Sequence, residues 1–503
     1  MKTYLPEINK VDTRLWMKKR IQQDETDKYL RNGKDFIDEK AINNDLNSAR
    51  NIDAGAIRNI LAKSMAIETL SPFETACLLN VTDPELLHEM AETAAKVKKK
   101  VYDNRIVTFA PLYLSSKCVN DCVYCGLRRS NKEVQRKTLN IEEVKREIEV
   151  LTGTIGHKRL IVVYGEHPDS GVDYIADTLK AIYSVKVETR RGLSQIRRCN
   201  VNAAPMSIDE LKVLKDVGIG TFQVFQETYH KETFRAVHPA DTIKGDYQWR
   251  LYSMHRAFDA GVDDVGLGVL FGLYDWKFEV MGLLYHAIEL ENKFGIGPHT
   301  ISFPRLEPAS NTPFIQNTKY KVSDDDFKKL VTVIRLAVPY TGMILTARED
   351  AKMRREAMLL GCTQTDAGSN IGIGGYAELL DKQQADNQQF VLGDTRTLDT
   401  VVRELAEAGF ITSFCTAGYR CGRTGKKIMG LLRSGKEGKF CKLNAVITFR
   451  EWLDDFASPQ TIEIGEKLIE REIAEIKRNI PDVYEQFMNF YNKTSAGQRD
   501  IYF

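Results

Sequence analysis

The sequence contains no apolar run approaching the ~18 residues of a membrane-spanning helix. Its first twenty residues, MKTYLPEINKVDTRLWMKKR, lack the apolar core of a secretory signal. It carries almost no net charge: 71 Lys and Arg against 69 Asp and Glu leave +2, which gives no electrostatic case for a nucleic-acid partner. Basic clusters such as Lys96 to Lys100 and Arg128-Arg129 read as solvated faces. Cysteine is scarce, odd in number and unevenly spread, nine in 503 residues, which argues against a disulfide framework and for a reducing, cytoplasmic compartment. No internal repeat or low-complexity tract is evident.

What is present changes texture along the chain. Residues 1–104 read as a helical region. In "SPFETACLLN", Ser71 is a candidate N-cap with Pro72 at the first helical position and Glu74 three residues on; Asp83 and Pro84 repeat the device. Residues 105–376 alternate short apolar runs with amphipathic stretches. The runs are "RIVTFAPLYL", "KRLIVVYG", "RRCNVNAAP", "GTFQVFQE", "DDVGLGVLFG", "HTISFPRLEP", "GMILTARE" and "CTQTDAGSN". Eight strands separated by helices predict an α/β fold, a parallel (β/α)8 TIM-type barrel rather than an open sheet. Polar residues gather where the runs end: cysteines after the first, Glu166 after the second, Arg348 after the seventh. A barrel builds its active site at that rim. Residues 377–503 predict a mostly helical C-terminal domain that holds three further cysteines.

Three of the nine cysteines, Cys118, Cys122 and Cys125, fall within "YLSSKCVNDCVYCGLRRSN". Three thiolates cannot close a tetrahedral zinc site without a fourth ligand, and the next histidine or cysteine is His157. A cubane iron–sulfur cluster usually takes four cysteines. With three, one iron keeps an open position that can chelate the amino and carboxylate groups of S-adenosylmethionine. Zinc with a remote fourth ligand, in a scaffold or assembly protein without turnover, is the competing reading. Cys77, Cys199 and Cys362 stand alone in apolar contexts and read as packed thiols.

The spacing Cys118-x3-Cys122-x2-Cys125, with Tyr124 before the last cysteine, resembles the radical S-adenosylmethionine signature. With "NVNAAPMS", "TFQVFQETYH", "GPHTISFPRLEP", "FCTAGYR" and "GRTG", the chain resembles the ThiH/HydG family of tyrosine lyases from about residue 50 to about residue 460. The resemblance implies a 4Fe-4S cluster on the three cysteines and S-adenosylmethionine held near Tyr124, Gly165, Glu166 and Asn202. It implies L-tyrosine as substrate, bound by Arg348 and Ser369, with Arg305 either a second rim cation or a structural ion pair. A 5′-deoxyadenosyl radical would abstract hydrogen from the bound tyrosine, and Cα–Cβ cleavage would give p-cresol and dehydroglycine. A reductant such as ferredoxin or flavodoxin is implied, and the resemblance to HydG-type members extends to other hydrogenase maturation proteins as partners.

In HydG-type members, dehydroglycine is broken down further to carbon monoxide and cyanide at a second iron–sulfur cluster held by Cys-x2-Cys-x22-Cys, with an extra iron on a histidine that His286 matches. Here the sequence departs from the family. Cys415 and Cys441 match the outer cysteines, but Gly418 occupies the middle position and Cys421 lies three residues on. On a helix, Cys421 would point within ~60° of the missing ligand but ~4.5 Å further along the axis. Three expectations follow: Cys415, Cys421 and Cys441 hold the second cluster; that cluster is lost or altered and the reaction stops at dehydroglycine, as in ThiH; or the same three thiols hold zinc.

Overall fold

The computed structural model describes residues 13–378, 388–434 and 437–503. Eight parallel strands close a barrel: β1 (Arg105–Ser115), β2 (Arg159–Tyr164), β3 (Arg198–Asn202), β4 (Phe222–Gln223), β5 (Val265–Gly268), β6 (Thr300–Ser302), β7 (Gly342–Leu345) and β8 (Gln364–Asp366). Neighbours in sequence pair around the ring, and β8 closes it on β1 through Val107↔Gln364 and Phe109↔Asp366. Seven of the strands lie within the runs expected from the sequence, and β1 exceeds its run by one residue, Ser115.

Strand β1 shows how the pattern works. Phe109, Pro111, Tyr113 and Ser115 line the interior, while Ala110, Leu112 and Leu114 join the apolar core beneath the helices. That is the period of two, with both faces buried as a helix-covered parallel sheet requires. A ninth strand, β9 (Ile411–Ser413), comes from the C-terminal region and pairs in parallel with the start of β1, from Arg105↔Ile411 to Val107↔Ser413. A small hairpin of Val187–Glu188 against Leu193–Ser194 was also not evident in the sequence.

The N-terminal helices pack on the barrel's outside. Ser71 and Glu74 form the reciprocal capping box of the helix Pro72–Asn80, and Asp83 caps the helix Pro84–Tyr102 through the Leu86 amide. The Tyr102 hydroxyl donates to the Tyr340 carbonyl at 2.7 Å and the Ser64 hydroxyl to the Leu336 carbonyl at 2.9 Å, fastening these helices to the barrel.

The C-terminal helices Glu437–Asp455 and Pro459–Asn479 cover the end where the strands begin. Lys158 and Arg197, which immediately precede β2 and β3, both pair with Glu451, the lysine at 2.8 Å. All three side chains are buried. Burial alone would raise the Glu451 carboxyl, but the two cations outweigh it and hold it far below the usual carboxylate range. No helix among the described residues is long and apolar enough to cross a membrane.

Candidate active site

The upper end of the barrel, where the strands finish, opens on a cavity of about 220 Å³. Cys118, Cys122 and Cys125 share its wall on the loop that follows β1. Arg136 holds this loop in shape, its guanidinium donating to the carbonyls of Ser116, Leu127, Arg128 and Asn131 at 2.6–3.2 Å. The Asn120 amide lies 3.8 Å from the Cys118 sulfur, and the Gln389 amide 3.7 Å from that of Cys125. Burial pushes the Cys122 thiol up to about 12, with Lys244 opposing, so an unligated thiol here stays protonated. Bound metal reverses that preference. Among the described residues no three His, Cys, Asp or Glu side chains are grouped as ligands of one ion, so the three thiols share a wall without converging on a point.

Gly165 and Glu166 follow β2 beside this loop. A side chain at Gly165 would collide with the Lys117 carbonyl, and the Gly165 amide donates to Ser115 at 2.9 Å. Glu166 accepts from the Asn120 amide through one oxygen, while the other is buried without a partner. Asn202, at the end of β3, lines the same cavity. The Tyr124 hydroxyl donates to His238 Nε2 at 2.7 Å; His238 in turn donates from Nδ1 to Phe234 at 3.0 Å, and burial holds its ring neutral.

Arg348, after β7, faces the cavity with its guanidinium 3.3 Å from the centre of the Phe390 ring. It makes no hydrogen bond or ion pair among the described residues, and burial lowers its pKa. Two neighbours expected at the substrate are engaged elsewhere. Arg305 is absent from the cavity wall and pairs with Glu349 and with Asp324, the latter at 2.8 Å; it is the structural ion pair of the two readings. Ser369 donates its hydroxyl to Asp366 at 2.7 Å and does not line the cavity.

The sequence reading missed several wall residues. Glu227 follows β4 with φ +72°, an uncommon conformation for a non-glycine residue. It accepts from Lys244 at 2.8 Å and from Arg250 at 3.4 Å. Burial opposes ionisation, but the two cations lower its pKa. Glu307, near the end of the "FPRLEP" run, is pushed up to about 7 by burial, with Glu349 adding to the shift. Gln389 and Phe390, from the C-terminal region, close one side.

A second, smaller chamber of about 40 Å³ lies at the opposite end, lined by Cys415, Gly418, Tyr419, Cys441 and His299. Cys415 has φ +45°, and its carbonyl accepts from Arg159 at 3.0 Å. Two expected ligands are not there. Cys421 lies outside the chamber lining and donates from its thiol to the Phe503 carbonyl at 3.2 Å. His286 is buried in the helix Trp276–Phe294, where its Nδ1 bonds to the Tyr229 hydroxyl at 2.9 Å and its ring packs against Phe36. The chamber's histidine is instead His299, which directly precedes β6. A residue at the start of a barrel strand belongs to this end, and that was the available signal.

Comparison with known proteins agrees with this geometry. Residues 112–282 match the Radical SAM superfamily, and residues 302–411 match the Biotin and Thiamin Synthesis associated domain. The 2-iminoacetate synthase of Salmonella typhimurium is 32% identical over 345 residues, 68% of this chain and 85% of that protein. A crystal structure of HydG, a maturase of the [FeFe]-hydrogenase, superposes with TM-score 0.88 at 47% identity, covering 93% of this chain and all of that one. The chain belongs to the HydG/ThiH-like family of radical S-adenosylmethionine enzymes. HydG from Carboxydothermus hydrogenoformans is also similar, with TM-score 0.74 and 37% identity over 90% of this chain and 97% of that one.

The family implies a 4Fe-4S cluster and S-adenosylmethionine, and the upper cavity fits both. Its donor set is three thiols on one loop, a ligand set suited to a cubane with one open iron. Glu166, which lines the cavity, has one buried oxygen without a partner, an acceptor that a ligand's donor would satisfy.

Proposed function

We propose that this protein is a tyrosine lyase that cleaves the Cα–Cβ bond of L-tyrosine to p-cresol and dehydroglycine. The observation that carries this reading is Arg348. Arg348 is half-buried and faces the cavity with no hydrogen bond or ion pair to a carboxylate among the described residues; Glu307 and Glu227 favour its charge from a distance, and its fork is left for an anion to join. An amino acid brings that anion, and the planar fork matches a carboxylate bidentately. A scaffold without turnover would have no use for such a cation.

Cys118, Cys122 and Cys125 would hold the cluster, and Glu166 would accept from the ammonium of S-adenosylmethionine, with Asn202 and the Tyr124 segment beside it. Together the two groups supply reductive cleavage of a carbon–sulfur bond and hence hydrogen abstraction, with an electron from a donor such as ferredoxin or flavodoxin. The apolar wall, including Phe225, Leu270 and Ile344, keeps water from a reactive carbon centre. Arg348 orients the substrate carboxylate. Glu307, with its carboxyl pushed up to about 7, is suited to take a proton from the substrate ammonium, so that the nitrogen is neutral when hydrogen is abstracted. Asp366 and Ser369 brace one another at the end of β8 and act on the substrate only by shaping the wall.

The onward step to carbon monoxide and cyanide depends on a second cluster in the lower chamber, where the middle thiol is missing. The test of the lyase itself is direct. Protein reconstituted anaerobically, with S-adenosylmethionine, dithionite and tyrosine, is expected to release p-cresol. Formation of 5′-deoxyadenosine with a different amino acid consumed, and no p-cresol, would overturn the substrate assignment.

A further inference from the structure

The lower chamber presents two thiols, not three. Cys415 and Cys441 line it, and Gly418 stands where the family's middle cysteine would project. The fold does not require glycine there. Gly418 lies in the short helix Ala417–Arg420, is absent from the residues with left-handed φ, and a Cβ on it would meet nothing nearer than the Arg423 carbonyl at 3.7 Å. The missing side chain is therefore a missing ligand rather than a steric necessity.

Cys421 does not replace it. The helix ends before it, its amide is spent on the Ala417 and Gly418 carbonyls, and its thiol donates to the Phe503 carbonyl. The same carbonyl accepts from Arg423 at 3.1 Å, and the Phe503 amide donates to Asn444 at 2.8 Å, so Cys421 faces a fastened segment and not the chamber. His299 does not complete a set either. Its Nε2 lies 3.9 Å from Asp264, and an imidazole does not replace the third thiol of a cubane held by cysteines.

We propose that the lower chamber of this chain assembles no cubane cluster, that the absent thiol at position 418 is the reason, and that the enzyme releases dehydroglycine instead of breaking it down. The imine then takes up water and yields glyoxylate and ammonia, a hydrolysis that needs no oxidant or reductant. The inference rests on the lyase reading for the identity of the product alone; the metal content stands independently.

The decisive experiment counts iron and sulfide after anaerobic reconstitution and desalting, with electron spin resonance of the dithionite-reduced samples. Wild type is expected to hold about four irons, one cubane. A Cys118→Ala/Cys122→Ala/Cys125→Ala variant is expected to fall below about one. Adding Gly418→Cys to that variant should restore about four irons and a cubane signal, while Gly418→Ala, which fills the same open space with no ligand atom, should restore none. Thermal unfolding of both 418 variants checks that each folds. Retention of about four irons by the triple variant would overturn the proposal, and so would no gain on Gly418→Cys in a folded protein. Trapped carbon monoxide from wild type would overturn its product half, whereas absence of p-cresol would overturn the lyase reading and leave the iron counts intact.

Discussion

The two ends of this barrel make opposite arrangements from the same ligand type. Above, three thiols sit on one loop whose shape is fixed by the four carbonyl contacts of Arg136. Below, the thiols come from a turn after β9 and from a separate helix, and the only further cysteine of that region faces away. A ligand set on one clamped loop keeps its spacing by chain connectivity. A set gathered from distant segments depends on each segment's docking, and one substitution, glycine at 418, leaves it incomplete.

Cys118→Ala separates the ends most sharply. It removes one of three thiols above and leaves the floor of the barrel untouched, so p-cresol release should become undetectable while unfolding by denaturant stays close to wild type. Residual p-cresol above background would show that the rim does not depend on all three thiols.

Glu451→Ala is the matching assault on the lower end. It strands Lys158 as a buried cation and leaves Arg197 with Asp500 as its remaining partner at 3.0 Å, an expected loss of about 3–5 kcal/mol read from the urea midpoint. The pH dependence has a definite sign. The folded-state pKa of Glu451 lies below its unfolded value, so its contribution is full above the unfolded carboxylate range and fades as pH falls through the folded value. The variant should therefore lose less on acidification than wild type does.

Arg348→Ala tests the upper end where it meets the substrate. Losing the guanidinium that meets the substrate carboxylate is expected to lower kcat/KM for tyrosine by a factor that corresponds to about 1.5–3 kcal/mol, with the iron count unchanged. Arg348→Lys should recover only part, because an ammonium does not reproduce the fork. An equal fall in iron would move Arg348 from substrate orientation to cluster support.

The comparison also explains what could be read in advance. The barrel was legible because each strand is a short apolar run bounded by helix signals, and β1 is buried along its full length. Strand β9 was not, because three residues of "FITSF" become a strand only by docking on β1. The cysteine loop was legible because its ligands are neighbours in sequence. Glu227, Lys244 and Arg250 were not, since three charged residues on separate elements are recognisable as one buried network only after folding. His286 matched the family by its surroundings, yet a helical position does not say which end of the barrel it faces. His299, at the start of a strand, carried that information.

Glu307 offers the finest division of the upper wall. Its carboxyl, pushed up to about 7 by burial, shares the cavity with Arg348 and can accept a proton only while ionised. As pH falls through 7 the carboxylate is protonated and p-cresol release should decline on the acid side. Glu307→Gln keeps the shape but accepts no proton, so turnover should drop by about 10²-fold and the acid limb near pH 7 should disappear. If the limb survives in the variant, the proton goes to another wall group, and Glu227 is disfavoured because Lys244 and Arg250 hold its carboxyl low. Asp366, whose carboxyl burial raises and which already accepts from Ser369, would then be the next wall carboxylate to test. Ser369→Ala would raise it further by removing that bond, moving the limb to higher pH, a shift that the Glu307 assignment does not produce.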